Sequence, residues 1–292
     1  MHRFVNFTLD GFTTGMIYAA LAMALVLIWR ATRIVNFAQG AMAMITTYIA
    51  FSITDSGGEY WVAFAVALVS GFVIGAVAER VLVRPIEGGP ELNAVILTLG
   101  LLLLLEAIAP MIFGGQIHSF PPAFSNTGVK IGGSHVALSP FDIFTILAVL
   151  GVMLGLLLLF QRTGLGLRMR ASAFNAPVAR LLGVRVGRTL TFGWAVAAVV
   201  GSLAGILITP NVLLSPNTMD IVLVFAFTAA ILGGLDSPIG ALIGGLVMGL
   251  VTSYVGGYLS SDLEVIAAFL VLVAVLMVRP EGLLARQPAR RV

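Results

Sequence analysis

Long apolar runs alternate with short polar links from one end of this chain to the other. The runs fall at about 11–29, 34–53, 60–83, 92–113, 141–160, 189–208, 221–232, 241–258 and 264–278. Most come near the roughly 20 residues that a helix needs to cross a bilayer. The pattern predicts an all-α fold, a polytopic transmembrane helical bundle of about eight to nine spans, one broken or re-entrant, forming a single domain over 1–292. The pieces on either side of 233–240 fit two crossings or a hairpin that dips in and returns. The first run reads as a retained helix, because MHRFVNFTLDGF has neither a clear basic segment nor a convincing cleavage site.

Composition agrees with this pattern. Hydrophobic residues make up 59% of the chain and charged ones only 10%, against about 25% charged in soluble domains. Fifteen of the sixteen basic residues are arginine, and they collect in alternate links. Two lie in 30–33, two in 79–91, six in 161–188 and four after 278. Links 54–60, 209–220 and 259–263 hold none, and 114–139 holds only Lys130. The positive-inside rule then puts the N-terminus outside and the C-terminus in the cytoplasm, whichever way 221–258 crosses.

The chemistry present is sparse. With no cysteine and with His2, His118 and His135 scattered, no metal-ligand spacing exists. No phosphate-binding loop, HExxH or GxSxG occurs, and the single lysine lies in SNTGVKIGG. The net charge of +3 is no nucleic-acid signal. We therefore expect no enzyme activity, cofactor or metal in this chain. Work done by it draws on an ion gradient or on another subunit. The one charge well inside a run is Glu106, about seven residues and roughly 10 Å from the outer end. It is either an ion or substrate ligand or a group reaching a wet cavity. Asn36, Gln39, Thr46, Thr47, Asn93 and Thr98 are the other candidates for lining a path. Helix-to-helix hydrogen bonds, each worth about 0.6 kcal/mol in membranes, would also account for them.

Two polar stretches carry more information. In GLGLRMRASAFNAPVARLLGVRVGRTL (164–190), Asn175 can cap a helix, Pro177 suits its first turn and Gly183 its stop. Val178, Leu181 and Leu182 share one face, so a helix of about two turns lies on the cytoplasmic side. It either rests on lipid headgroups or docks a soluble partner. In GGLDSPIGALIGGLVMGL (233–250), Asp236 or Ser237 caps a new helix opened by Pro238. Gly240 with Gly244, and Gly245 with Gly249, then make small-xxx-small pairs that admit a close neighbour helix. A similar polar turn and Gly-Ala step stand in NFAQGAMAMI (36–45), a weak internal echo.

VNFAQGAM (35–42), ERVLVRPI (79–86), RASAFNAPVARLLGV (170–184), FTAAILGGLDSPIGALIGGLVMGL (227–250) and VRPEGLLAR (278–286) occur in this order along nearly the whole chain. In these motifs the chain resembles the permease subunits of branched-chain (hydrophobic) amino acid ABC importers, the high-affinity leucine/isoleucine/valine type. The resemblance implies a bacterial inner-membrane protein with a second homologous permease subunit, two cytoplasmic ATPase subunits and a periplasmic substrate-binding protein, all within membrane lipid. It also implies that the 161–188 loop meets the ATPase, through Ala173, Ala179, Leu182 and Gly183, with Arg170 and Arg180 flanking. Gln39, Ala41 and Asp236 depart from the family pattern, which often has His, Glu and Gly there. Relatives in the wider family are similar to importers of urea, short amides and other amino acids.

Overall fold

The computed structural model describes residues 2–86, 88–128, 130–131, 134–135 and 138–284. Nine helices correspond to the nine apolar runs. These are α1 (His2–Thr32), α2 (Gln39–Asp55), α3 (Tyr60–Val77), α4 (Glu91–Phe113), α5 (Pro140–Arg162), α8 (Val186–Ile208), α9 (Thr218–Gly233), α10 (Pro238–Tyr258) and α11 (Glu264–Val278). In the 161–188 link, α6 (Gly164–Phe174) and α7 (Ala176–Leu181) lie between α5 and α8. The 114–139 link carries a two-residue ladder, β1 (Lys130–Ile131) with β2 (Ser134–His135). Among the described residues, seven helices are long and apolar enough to cross a membrane, while α9, at 16 residues, and α2, at 17, are short.

The core is built on α1 and α8, which are buried along most of their length. Alanine at 19, 20, 22 and 24 lets neighbours come close to α1 from several sides. By contrast α4, α5 and α11 leave most of their leucines and valines on the surface. In lipid that surface has no reason to hide, since the tails are as apolar as leucine. The glycine pairs make the tightest seam. A methyl added at Gly11 or Gly15 on α1 would stand 2.9 Å from the carbonyl oxygen of Gly249 or Gly245 on α10. Gly240 and Gly244 press in the same way on Gly233 and Ala229 of α9.

At 233–240 the chain breaks into two helices, α9 and α10, an arrangement common to two crossings and to a hairpin that dips in and returns. Gly234 takes φ +96°, the turn follows, and Ser237 Oγ accepts from Gly240 N (3.0 Å) to cap α10. The terminal motif also has a structural role. Gly282 turns the chain back so that Leu283 N donates to Leu232 O (2.8 Å) and Leu284 N to Gly233 O (3.3 Å). These bonds satisfy two of the carbonyls orphaned at the end of α9.

Three boundaries differ from the sequence-based expectation. The first helix begins nine residues earlier than 11, because Phe4 stacks on Tyr254, Phe7 meets Tyr258 and Thr8 bonds Tyr254 (2.8 Å) on α10. The second starts five residues later than 34. Asn36 Oδ1 accepts from Ala38 N (3.1 Å), an Asx turn that competes with helix. The third run, expected to end at 83, stays helical to 86. Here α3 passes through a π-helical turn, Ala78–Val83, and a 3-10 turn, Arg84–Ile86.

The π turn buries Glu79, which is 1% exposed, against Arg84 (2.8 Å). Arg84 Nη2 also donates to Gly187 O (2.7 Å) and to Thr191 Oγ1 (2.6 Å), and Thr191 donates to Glu79 (2.7 Å). Removing one partner from such a pair leaves a buried charge and costs about 3–5 kcal/mol. Arg84→Met is therefore expected to lower the unfolding midpoint of the purified chain, read by intrinsic fluorescence. Glu79→Gln with Arg84→Met should recover most of the loss.

Candidate functional site

The links group as the arginine count requires. His118 and Leu214 exchange both backbone hydrogen bonds (2.9 Å each), and Asn126 Nδ2 donates to Asn211 Oδ1 (3.0 Å), so 114–139 and 209–217 share a face. On the opposite face Arg33 pairs with Asp236 (2.6 Å) and Arg84 reaches Gly187. Asp236, one of the departures from the family pattern, thus ties the α1–α2 link to the α9–α10 turn. Arg33 is the one non-glycine with positive φ (+58°) among the described residues. That strain, of order 1 kcal/mol, is held by the ion pair and by a stack on Trp29.

On this same face α7 forms as its sequence requires. Asn175 Oδ1 accepts from Val178 N (3.0 Å), Pro177 stands in the first turn, and Gly183 ends the helix at φ +82°. Val184 N closes the end by donating to Ala179 O (2.9 Å). The helix is two-faced. Ala179, 2% exposed, packs with Val186 and Leu190 of α8 and with Ala31 of α1. Leu181 and Leu182 stand out at 88% and 77% exposure, beside an equally bare Phe174. Arg170, Ala173 and Arg180 are also exposed. Ala179 therefore faces the bundle, and any part it plays in coupling passes through packing. Preceding α6 was not legible, because its two glycines dilute the helical signal. Thr163 caps it through Gly166 N (3.1 Å), and Gly166 lies against the carbonyls of Leu159 and Phe160.

A second constellation lies inside the bundle. Gln39 Nε2 donates to the carbonyl of Ala197 (3.2 Å), halfway along α8, so α2 begins near mid-depth. Gly40 packs against Met219 and Leu223, and Phe37 against Phe227, which puts the first turns of α2 and α9 side by side. Two short helices that start within the bundle are a device of transporters.

Of the proposed path residues, Asn36, Gln39, Thr46 and Thr98 are fully buried and bonded. Asn36 Nδ2 donates to Gln39 Oε1 (3.0 Å), Thr46 and Thr47 donate to Ala43 O (2.8 and 2.9 Å), and Thr98 reaches Val35 O (3.3 Å). Asn36, Gln39 and Thr98 stitch the unwound 33–38 segment to α8 and α4, Thr46 and Thr47 bond back within α2, and all are closed to solvent here. Asn93 is exposed on the first turn of α4. Glu106 is only partly buried, and its carboxyl meets Asp220 on the first turn of α9. Asp220 also accepts from Asn217 (3.2 Å). Sequence reading assigned Asp220 to an outer loop.

The match to known proteins is extensive. Residues 7–278 fit the family model for the branched-chain amino acid transport system permease component. The chain is 29% identical over 307 residues to the high-affinity branched-chain amino acid transport system permease protein LivH of Escherichia coli strain K12, covering 99% of this chain and 98% of that one. Against BraD of Pseudomonas aeruginosa, a permease protein of the same description, identity is 28% over 304 residues, covering 100% and 99%. In fold it is similar to a chain of PsaBC from Streptococcus pneumoniae, solved in complex with a Fab. The TM-score is 0.52 at 13% identity, over 96% of this chain and 93% of that one.

Proposed function

The chain belongs to the branched-chain amino acid transport permease family, and from that membership we infer that it is one membrane subunit of an ABC importer for leucine, isoleucine and valine. The observation that carries the reading is α7. It holds two bare leucines to the side that collects the arginines and seats its other face on α8 and α1. A chain with no nucleotide-binding motif and a knob of this kind takes its energy from a docked partner. The full assembly is this chain, a second related permease, two cytoplasmic ATPase subunits and a binding protein outside. In that assembly the arginine-rich links and the C-terminus face the cytoplasm, and the N-terminus faces outward.

In this mechanism ATP draws the two ATPases together. The one docked on this chain carries Leu181 and Leu182 with it, and Ala179 passes the movement to the start of α8. The unwound 33–38 segment and the short helices α2 and α9 are the parts able to shift, because they are not full spans. Their displacement opens a path along the α4–α9 face. Glu106 and Asp220 mark that face, since carboxyls at membrane depth face water or a partner. An amino acid passing there presents its ammonium to them.

Glu106→Gln with Asp220→Asn is expected to slow uptake about tenfold, about 1.4 kcal/mol of barrier, with assembly unchanged on size-exclusion chromatography. The carboxyl pair is also the one feature that favours a stand-alone ion-coupled carrier, a class tested below. Substrate class is tested by reconstituting the complete importer and measuring ATP-dependent uptake of labelled leucine. Valine and isoleucine should compete, and urea and acetamide should not. Uptake of urea without leucine uptake would assign the chain to the amide branch instead.

A further inference from the structure

A cleft beside the coupling segment has no part in the reading above. It lies between α1, α5, α6 and the first turn of α10, as two lobes of about 330 and 570 Å³. Leu27, Arg30, Phe160, Arg170 and Asp236 line both lobes. The first lobe is walled by Met23 and Leu27 from α1 and by Met153 and Leu156 from α5. Met23 stands seven residues before Arg30, and Met153 seven before Phe160. The apolar wall therefore climbs about 10 Å from the arginine level into the bundle.

The rim is basic. Arg30, Arg33 and Arg170 lie there with Asp236 as the acid lining the cleft, and Asp236 is taken up by Arg33. Arg30 is held at the rim by lying over the Phe160 ring, 5.8 Å from its centroid. Arg170 projects from α6 on the opposite side and is exposed. An apolar channel that ends in two guanidiniums fits an amphipathic anion. This site also lies at the arginine-rich level between spans, where anionic headgroups bind. α5 joins the bundle mainly through α1 and α6, and the cleft lies between it and the first turn of α10.

Two other occupants fit poorly. Leu284 lines the first lobe, but the residues that follow it in sequence include Arg286, Arg290 and Arg291, which would add positive charge to a positive rim. A soluble ATPase can reach the rim, but it cannot fill a wall that rises about 10 Å into the apolar layer. The geometry points to a binding site for one anionic phospholipid of the cytoplasmic leaflet. Its phosphate lies between Arg30 and Arg170 and an acyl chain runs along Met153, Leu156 and Leu157 of α5. Bound there, the lipid bridges the α1–α5 pair to the α6–α7 segment, next to the coupling surface.

Native mass spectrometry of the detergent-extracted permease assembly, titrated with phosphatidylglycerol or phosphatidylcholine, tests this. The wild type is expected to retain one phosphatidylglycerol per chain in preference to phosphatidylcholine. Each arginine is worth about fivefold at such a surface, so Arg30→Gln with Arg170→Gln should weaken retention about thirtyfold. The pair Arg30→Lys with Arg170→Lys should keep most of it, which separates charge from misfolding. Leu156→Trp, which fills the wall and spares the arginines, should also lose the lipid. Equal retention of both lipids, or phosphatidylglycerol retained by the glutamine or tryptophan variants, would overturn the site. So would glutamine variants that lose the ATPase while keeping the lipid, since that result assigns the rim to protein docking.

Discussion

Leucine in place of Gly245 is expected to leave almost no correctly assembled permease in the membrane. Gly11 and Gly15 of α1 face Gly245 and Gly249 of α10, and each side meets backbone rather than flexible side chain. A Cβ at Gly245 would collide with the backbone nitrogen and Cα of Ala19. Overpacking costs about 1–3 kcal/mol even where side chains can yield, and here the two helices must move apart. Close packing is what holds helices together in lipid, where burial of apolar surface supplies no drive. Gly244→Leu meets the Ala229 carbonyl in the same way and should behave alike. Size-exclusion chromatography of membrane extracts reads the result as a monodisperse peak below about a tenth of wild type, given the marginal stability of folded chains. Gly151→Leu on α5 is the control, because nothing lies within 4 Å of a Cβ added there. A normal peak for Gly245→Leu would show that the α1–α10 seam does not hold the bundle together.

The second large effect is confined to the complex. Leu181→Asp with Leu182→Asp should leave the permease folded, because both side chains are exposed and support nothing beneath them. Interface anchors cost about 2 kcal/mol or more each when lost, and a carboxylate adds the cost of burying a charge. Co-purification of the ATPase should therefore fall by about a hundredfold or more, and ATP-driven uptake with it. ATPase binding that survives both changes would remove α7 from the coupling pathway.

Periodicity and punctuation made most of the architecture legible. Asn175, Pro177 and Gly183 mark α7 without help from the rest of the fold, and the same is true of Ser237 and Pro238 for α10. The arginine distribution grouped the links correctly because it follows from membrane insertion rather than packing. What was hidden depends on tertiary partners. Gln39 looks like a path residue until Ala197 takes its donor, with Gly201 leaving it room. Glu79 looks like part of a polar link until the π turn rotates it onto Arg84. Asp220 is unremarkable in sequence, because its proximity to Glu106 spans more than a hundred residues. The N-terminal turns of α1 were equally invisible, since Tyr254 and Tyr258, which receive them, lie at the far end of the chain.

The central claim is that this chain provides a passage and a lever but no energy of its own. Labelled leucine uptake into proteoliposomes tests it most directly. The chain, with its permease partner, is compared with and without the ATPase subunits, under ATP and under an imposed proton or sodium gradient. Uptake only in the complete assembly, and only with ATP inside the accessible compartment, is the predicted result. Gradient-driven uptake without the ATPase subunits would contradict it and make Glu106 and Asp220 the coupling site of a secondary carrier.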